Sequence, residues 1–116
     1  MEILEDSKTY EEKKIDLISV DGRIDALTVG TFEEKTLALV DNENYGSYIL
    51  DFEKLVYISS AGLRAVLKLA KKCKEVSKKL VVCNLSENVL EVFKISGFDL
   101  IITVCDNLEN AVAKGA

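Results

Sequence analysis

Residues Leu55-Val56-Tyr57-Ile58-Ser59-Ser60-Ala61-Gly62-Leu63 carry an apolar, strand-like run straight into small hydroxylated residues and then into a helix. The helix that follows is the clearest in the chain. Leu63, Val66, Leu67, Ala70 and Cys73 mark one apolar stripe at helical spacing. Arg64, Lys68, Lys71, Lys72 and Lys74 populate the outer face, and Lys78-Lys79 ends it. A strand that hands over to an amphipathic helix is the opening half of a βαβ unit.

The flanking sequence repeats that rhythm. Downstream, Leu80-Val81-Val82-Cys83 is a continuous apolar run of strand length, as expected for a strand covered on both faces. Ser86 can cap a further helix carrying Val89, Leu90 and Phe93, with Gly97 as its stop. Leu100 to Val104 reads as the last strand. Asp106-Asn107-Leu108-Glu109 resembles a capping box before a terminal helix with Leu108, Ala111 and Val112. Upstream, Ser47 to Phe52 reads as a strand centred on Tyr48-Ile49-Leu50. Residues 41–46 form a polar loop. Thr28 to Val40 reads as a helix with Val29, Phe32, Thr36 and the Leu39/Val40 pair on one face. Ile15 to Val20 is an apolar strand followed by a turn signal at Asp21-Gly22, and Thr9 to Lys14 can form a short polar edge strand paired with it as a hairpin.

Strands alternating with helices predict an α/β fold. The expected architecture is a mixed, mostly parallel sheet with an amino-terminal hairpin and helices packed on it, in one domain over residues 1–116.

Composition narrows the function. Hydrophobic residues make up 48% of the 116 residues, enough for one core. The formal net charge of -5 argues against nonspecific nucleic-acid binding, which needs Lys and Arg to neutralise phosphates. No apolar run approaches the roughly 18 residues of a membrane span, and the acidic start Met1-Glu2-Ile3-Leu4-Glu5-Asp6 lacks the order of a signal peptide. A cytoplasmic protein without membrane insertion is expected. There is no histidine, so Ser-His-Asp and Cys-His catalysis cannot be assembled from this chain alone. Cys73, Cys83 and Cys105 are far apart, form no CxxC pair and read as reduced thiols rather than a zinc site. Gly22 and Gly46 belong to no phosphate-loop pattern. Asp51 and Glu53 make no case for a catalytic carboxylate pair. The lysines of the long helix read first as a solvated outer face. The expected chain is therefore not an enzyme, with no catalytic residue, cofactor or metal.

The turn at Ser59-Ser60 supports two readings. A serine at a helix start accepts hydrogen bonds from free backbone amides, which makes one of the pair an N-cap. The same helix end carries partial positive charge and favours an anionic group, so an exposed serine there can be phosphorylated without dismantling the fold. Ala61 leaves the turn uncluttered. Gly62 costs helix propensity in the first turn, so close backbone approach is a reason for it.

Residues 55–63, together with the order of elements, resemble the STAS-domain anti-sigma-factor antagonists of bacteria. Asp21-Gly22-Arg23-Ile24-Asp25, Ser47-Tyr48-Ile49-Leu50-Asp51-Phe52, Leu80-Val81-Val82-Cys83-Asn84 and Val92-Phe93-Lys94-Ile95-Ser96-Gly97-Phe98 match further pieces of that family's pattern in order. The resemblance implies a STAS-like domain and partner switching in transcription regulation. Unmodified, such a protein binds an anti-sigma factor that is also a serine kinase and so frees a sigma factor. Phosphorylation breaks that complex, and a serine phosphatase restores it. Alignment on Gly62 and Leu63 places the phosphorylated serine at Ser60, with Ser59 the second choice because it stands where the family usually has Asp. The implied partner-binding residues are Asp25, Ser59, Ser60, Ala61, Gly62 and Arg64. Asp25 is read equally as a turn or cap residue. The alternative is a STAS-type protein-binding module without a phosphorylation cycle, in a larger signalling assembly.

Overall fold

A computed structural model describes residues 1–10, 13–41 and 44–115. Two strands open the chain, β1 (Glu2–Tyr10) and β2 (Lys13–Ile24), followed by α1 (Val29–Val40), β3 (Ser47–Asp51) and β4 (Leu55–Ile58). Then come α2 (Ser60–Glu75), β5 (Lys79–Cys83), α3 (Glu87–Ile95), a 3-10 turn (Phe98–Leu100), β6 (Thr103–Cys105) and α4 (Leu108–Gly115). The six strands form a mixed sheet in the order β1-β2-β3-β5-β6, with β4 paired to β2. The β1–β2 ladder is antiparallel and the others are parallel. The expected α/β architecture with an amino-terminal hairpin is therefore what forms.

Alternation along the strands sorts side chains into two cores. Ile18, Val20, Tyr48, Leu50 and Val82 point to the side where Phe32 of α1, Val66 and Leu69 of α2, and Phe93 of α3 are buried. Ile15, Leu17, Ile49, Val81 and Cys83 point to the opposite side, against Ala111 of α4. Both faces of β3 and β5 are thus covered, as their continuous apolar runs require. Each fully buried Phe or Leu contributes about 1.5–3 kcal/mol through apolar surface removed from water. Tyr48 lies in the larger core with its hydroxyl satisfied, donating to Leu39 O at 2.9 Å and accepting from Lys78 Nζ at 3.1 Å.

Several local expectations are corrected. Asp21-Gly22 is no chain reversal but lies inside β2, where Gly22 adopts φ 105. The hairpin strand is longer than Thr9–Lys14 and begins at Glu2; that interval spans the end of β1 and the start of β2, and Glu11 and Glu12 within it lie outside the described residues. Asn42 and Glu43 of the expected polar loop lie outside them too. On α2, Ala65 and Leu69 are buried whereas Leu67 and Ala70 are only partly so, because the helix is covered over a broader arc than one stripe. The last strand is Thr103–Cys105 rather than Leu100–Val104; Leu100 and Ile101 are 88% and 64% exposed, since the chain makes a 3-10 turn first. Asn107 caps α4 by accepting from Asn110 N at 2.9 Å, in place of a full capping box.

One irregularity decides how the sheet ends. Ser19 pairs with Asp51, Gly22 with Leu55, and Arg23 with Tyr57. Val56 is therefore an extra residue on β4, a bulge opposite the Gly22–Arg23 step. It explains a burial pattern that strict alternation cannot produce: Leu55 and Ile58 are buried while Val56 and Tyr57 between them are exposed. The excursion between β3 and β4 is held by Asp51, whose Oδ1 accepts from Glu53 N at 3.0 Å and Asn84 Nδ2 at 3.1 Å.

Candidate functional site

The carboxyl ends of β2 and β4 leave the sheet side by side. Ile24 pairs with Ile58, and Ser59 N donates to Ile24 O at 2.9 Å. Asp25 and Ser59, each the next residue on its strand, therefore begin two neighbouring turns. The first turn leads into α1 and the second into α2.

At the second turn the two serines take different roles. Ser59 is the N-cap of α2, with extended backbone (φ -85, ψ 173), and its Oγ accepts from Gly62 N at 3.1 Å. Its carbonyl accepts from Leu63 N at 2.9 Å, the first bond of the helix. Ser60 is the first helical residue, is exposed, and its hydroxyl bonds to no described residue. The amides of Ser60 and Ala61 lie in the first turn, where a helix leaves donors without intrahelical partners. No acidic residue occupies that turn. Arg64 is exposed and stands four residues after Ser60, on the same helix face. A phosphate on Ser60 would meet free amides, the positive end of the helix and a guanidinium.

Gly62 faces inward. A Cβ built on it would lie 2.7 Å from Ile58 Cγ1, 2.8 Å from Ile24 Cγ2 and 3.0 Å from Ile24 O. The close approach expected of this glycine is found, against the two strand ends that carry the site. Its part in the site is to let α2 sit against them. Ala61 is half-buried beside it.

The first turn is pinned by its own polar atoms. Asp25 Oδ1 accepts from Leu27 N at 3.0 Å, and Asp25 N donates to Thr28 Oγ1 at 2.9 Å. Thr28 Oγ1 in turn donates to Arg23 O at 2.8 Å. The bond from Leu27 N, with help from Arg23 and Thr28, holds the Asp25 carboxyl below its ordinary value, so it is ionised at neutral pH. Asp25 is thus an Asx-turn residue whose remaining oxygen still faces outward to Arg23 Nε at 3.5 Å.

Three neighbours escaped the sequence reading as site residues. Leu27 is 92% exposed at the tip of the first turn. The Arg23 guanidinium lies 4.4 Å from the centroid of the Tyr57 ring, which is 42% exposed. An apolar residue flanked by Asp25 and Thr28 in a turn was the available signal for Leu27. Nothing in the sequence marks Tyr57 as exposed, because the bulge alone turns it outward.

Among the described residues no group of side chains could hold a metal ion. Burial pushes the Cys73 thiol up to about 11 and the Cys83 thiol up to about 12, which keeps both as unreactive thiols at neutral pH. Among the described residues no helix is long and apolar enough to cross a membrane.

Comparison with known proteins converges on one family. Residues 7–111 match the family model described as STAS domain. A protein of Bordetella bronchiseptica, provisionally named anti-sigma factor antagonist BtrV, is 38% identical over 107 residues, covering 86% of this chain and 92% of that protein. The fold is similar to the crystal structure of an anti-sigma factor antagonist from Mycobacterium paratuberculosis (TM-score 0.82, 18% identity, 98% of this chain and 94% of that one). It is also similar to the phosphorylated form of the Bacillus cell fate determinant SpoIIAA (TM-score 0.67, 20% identity, 96% and 98%). At these identities the two structures speak for the fold.

Proposed function

Because the chain belongs to the STAS-domain family, we propose that it is an anti-sigma-factor antagonist whose partner surface is built on the paired turns at Asp25 and Ser59-Ser60. The observation that carries this reading is the division of labour between the serines. Ser59 is consumed as the helix cap, which leaves the exposed Ser60 hydroxyl as the one a partner kinase reaches. Ser59 stands where the family usually has Asp. Both residues are strong N-caps, so the replacement preserves the local fold.

Unmodified, the surface offers an exposed leucine at position 27, the Arg23–Tyr57 pair, Asp25 and Arg64 around an uncharged hydroxyl. An anti-sigma factor with serine-kinase activity binds there and releases its sigma factor. Phosphorylation of Ser60 adds about -1.5 to -2 charges at pH 7. Burying that charge against a partner that does not neutralise it is costly, and the complex separates. A serine phosphatase resets the cycle. The chain itself has a binding role and no catalytic one, and ATP and magnesium belong to the kinase.

The test is mass spectrometry of the protein after incubation with ATP and the anti-sigma factor that co-purifies with it. Phosphate on Ser60, absent from Ser60→Ala, is the expected result. No phosphate on either serine would refute the phosphorylation cycle. Calorimetry with Ser60→Asp should show loss of binding to that same partner, and unchanged affinity would refute the switch.

A further inference from the structure

Asp16 is 0% exposed, and neither of its carboxylate oxygens has a hydrogen-bond partner among the described residues. It sits in β2 on the side of the larger core, opposite Ser7 of β1 and beside Tyr48 of β3. Glu5 is opposite Ile18, which places it diagonally across the same face, the position from which its carboxyl disfavours ionisation of Asp16. Two ionised carboxylates cannot bond to each other, because neither has a hydrogen. Two acids sharing one proton can.

The geometry points to a proton-operated clasp: Asp16 and Glu5 hold one proton between them, and that proton fastens the edge strand β1 to β2. The charges around Asp16 favour this arrangement. Asp6 and Glu5 approach from β1, and both make an ionised Asp16 less favourable. On the β3 side the neighbour is Tyr48, with Tyr45 and Cys73 near its ring. Burial is the main cause that keeps the Tyr48 hydroxyl protonated. Lys78, a cation near Tyr48, donates to Val40 O at 2.6 Å and Tyr48 OH at 3.1 Å. Lys14, two residues before Asp16 on β2, is exposed. Burial first, then Glu5, then Asp6 push the Asp16 carboxyl up to about 8.

The direction of the effect follows. With β1 docked, the Asp16 carboxyl is held up to about 8; with β1 detached, it loses the Glu5 and Asp6 charges and part of its burial, and falls toward the ordinary aspartate range. Docking therefore takes up a proton between those limits. It is strongest at low pH, weakens as pH rises through the window, and levels off above about 8. Detachment would uncover the β2 ladder, so alkalinisation converts a covered strand into an open sheet edge.

Amide hydrogen exchange of Ile3 to Ser7 at pH 6, 7 and 8, corrected for intrinsic rates, tests the clasp in the intact protein. The opening constant should rise roughly 50-fold from pH 6 to pH 8, approaching tenfold per unit below the midpoint. Asp16→Asn should flatten that dependence. An equal slope in Asp16→Asn would overturn the proposal. Carbon-13 carboxyl NMR of the unaltered protein gives a readout that needs no variant at position 16: an Asp16 midpoint near 8 supports the clasp, and one below 5 overturns it. Glu5→Gln should lower the midpoint while leaving it above the ordinary value. A midpoint that does not move would show that Glu5 shares nothing.

Discussion

Replacing Gly62 by alanine adds a single methyl group, and the structure sets what it meets. The new carbon would lie 2.7 Å from Ile58 Cγ1 and 2.8 Å from Ile24 Cγ2. Side-chain carbons can yield by rotation, at a cost of off-rotamer strain. The third neighbour, Ile24 O at 3.0 Å, cannot yield so easily, because it accepts the Ser59 amide at 2.9 Å and belongs to a strand end. Overpacking of a filled core costs about 1–3 kcal/mol, and weakening the Ser59 bond adds up to about 1 kcal/mol. Against this, alanine gains at most about 1 kcal/mol of helix propensity over glycine. The expected net effect is a loss of about 1–3 kcal/mol, read as a lower urea midpoint at constant slope. The matched control is Gly30→Ala in the first turn of α1, where an added Cβ meets nothing within 4 Å. That variant should be neutral or more stable by up to about 1 kcal/mol. If Gly62→Ala were as stable as Gly30→Ala, the tight seating of α2 on Ile24 and Ile58 would be wrong, and with it the placement of the serine turn.

Two further outcomes follow from the same geometry. Ser59→Ala should lose about 0.5–2 kcal/mol with the N-cap, whereas Ser60→Ala should change stability by less than about 0.5 kcal/mol; equal losses in urea titrations would contradict the assigned roles. In timed alkylation with iodoacetamide at pH 8, half-buried Cys105 should react before the buried Cys73 and Cys83, and peptide mapping that found Cys83 labelled first would refute the packing of the α4 side.

The elements that were legible in the sequence are those whose pattern is local. α2 and α3 declare themselves by spacing and by serines at their starts, of which Ser59 and Ser86 are found bonded as caps. β5 declares itself because both its faces are buried. What was not legible depends on partners distant in the chain. Asp21-Gly22 has turn chemistry, yet the strand runs through it because Gly22 N donates to Lys54 O at 3.0 Å, a bond the local sequence cannot announce. Asp16 looks like a polar interruption of an apolar strand, and its burial depends on the strand and helices packed over it. At the site, the turn could be found but not the allotment of roles. Which serine caps the helix depends on where β4 ends, and that depends on its pairing with Ile24.

The bulge at Val56 has an evolutionary consequence. Substitutions alter what a strand residue is, and an insertion or deletion reverses the residues after it unless a bulge takes it up. The bulge takes up the extra residue at Val56, so Tyr57 and Ile58 keep their pairing with Arg23 and Ile24 and the orientation of the serine turn is held by that pairing. Point mutation can retune the surface that a partner reads, residue by residue, while the direction in which the chain presents Ser60 stays fixed. Loss of the single codon for Val56 would remove the bulge and leave Leu55, Tyr57 and Ile58 in plain alternation, with Tyr57 still outward and Ile58 still inward, so the display would survive it.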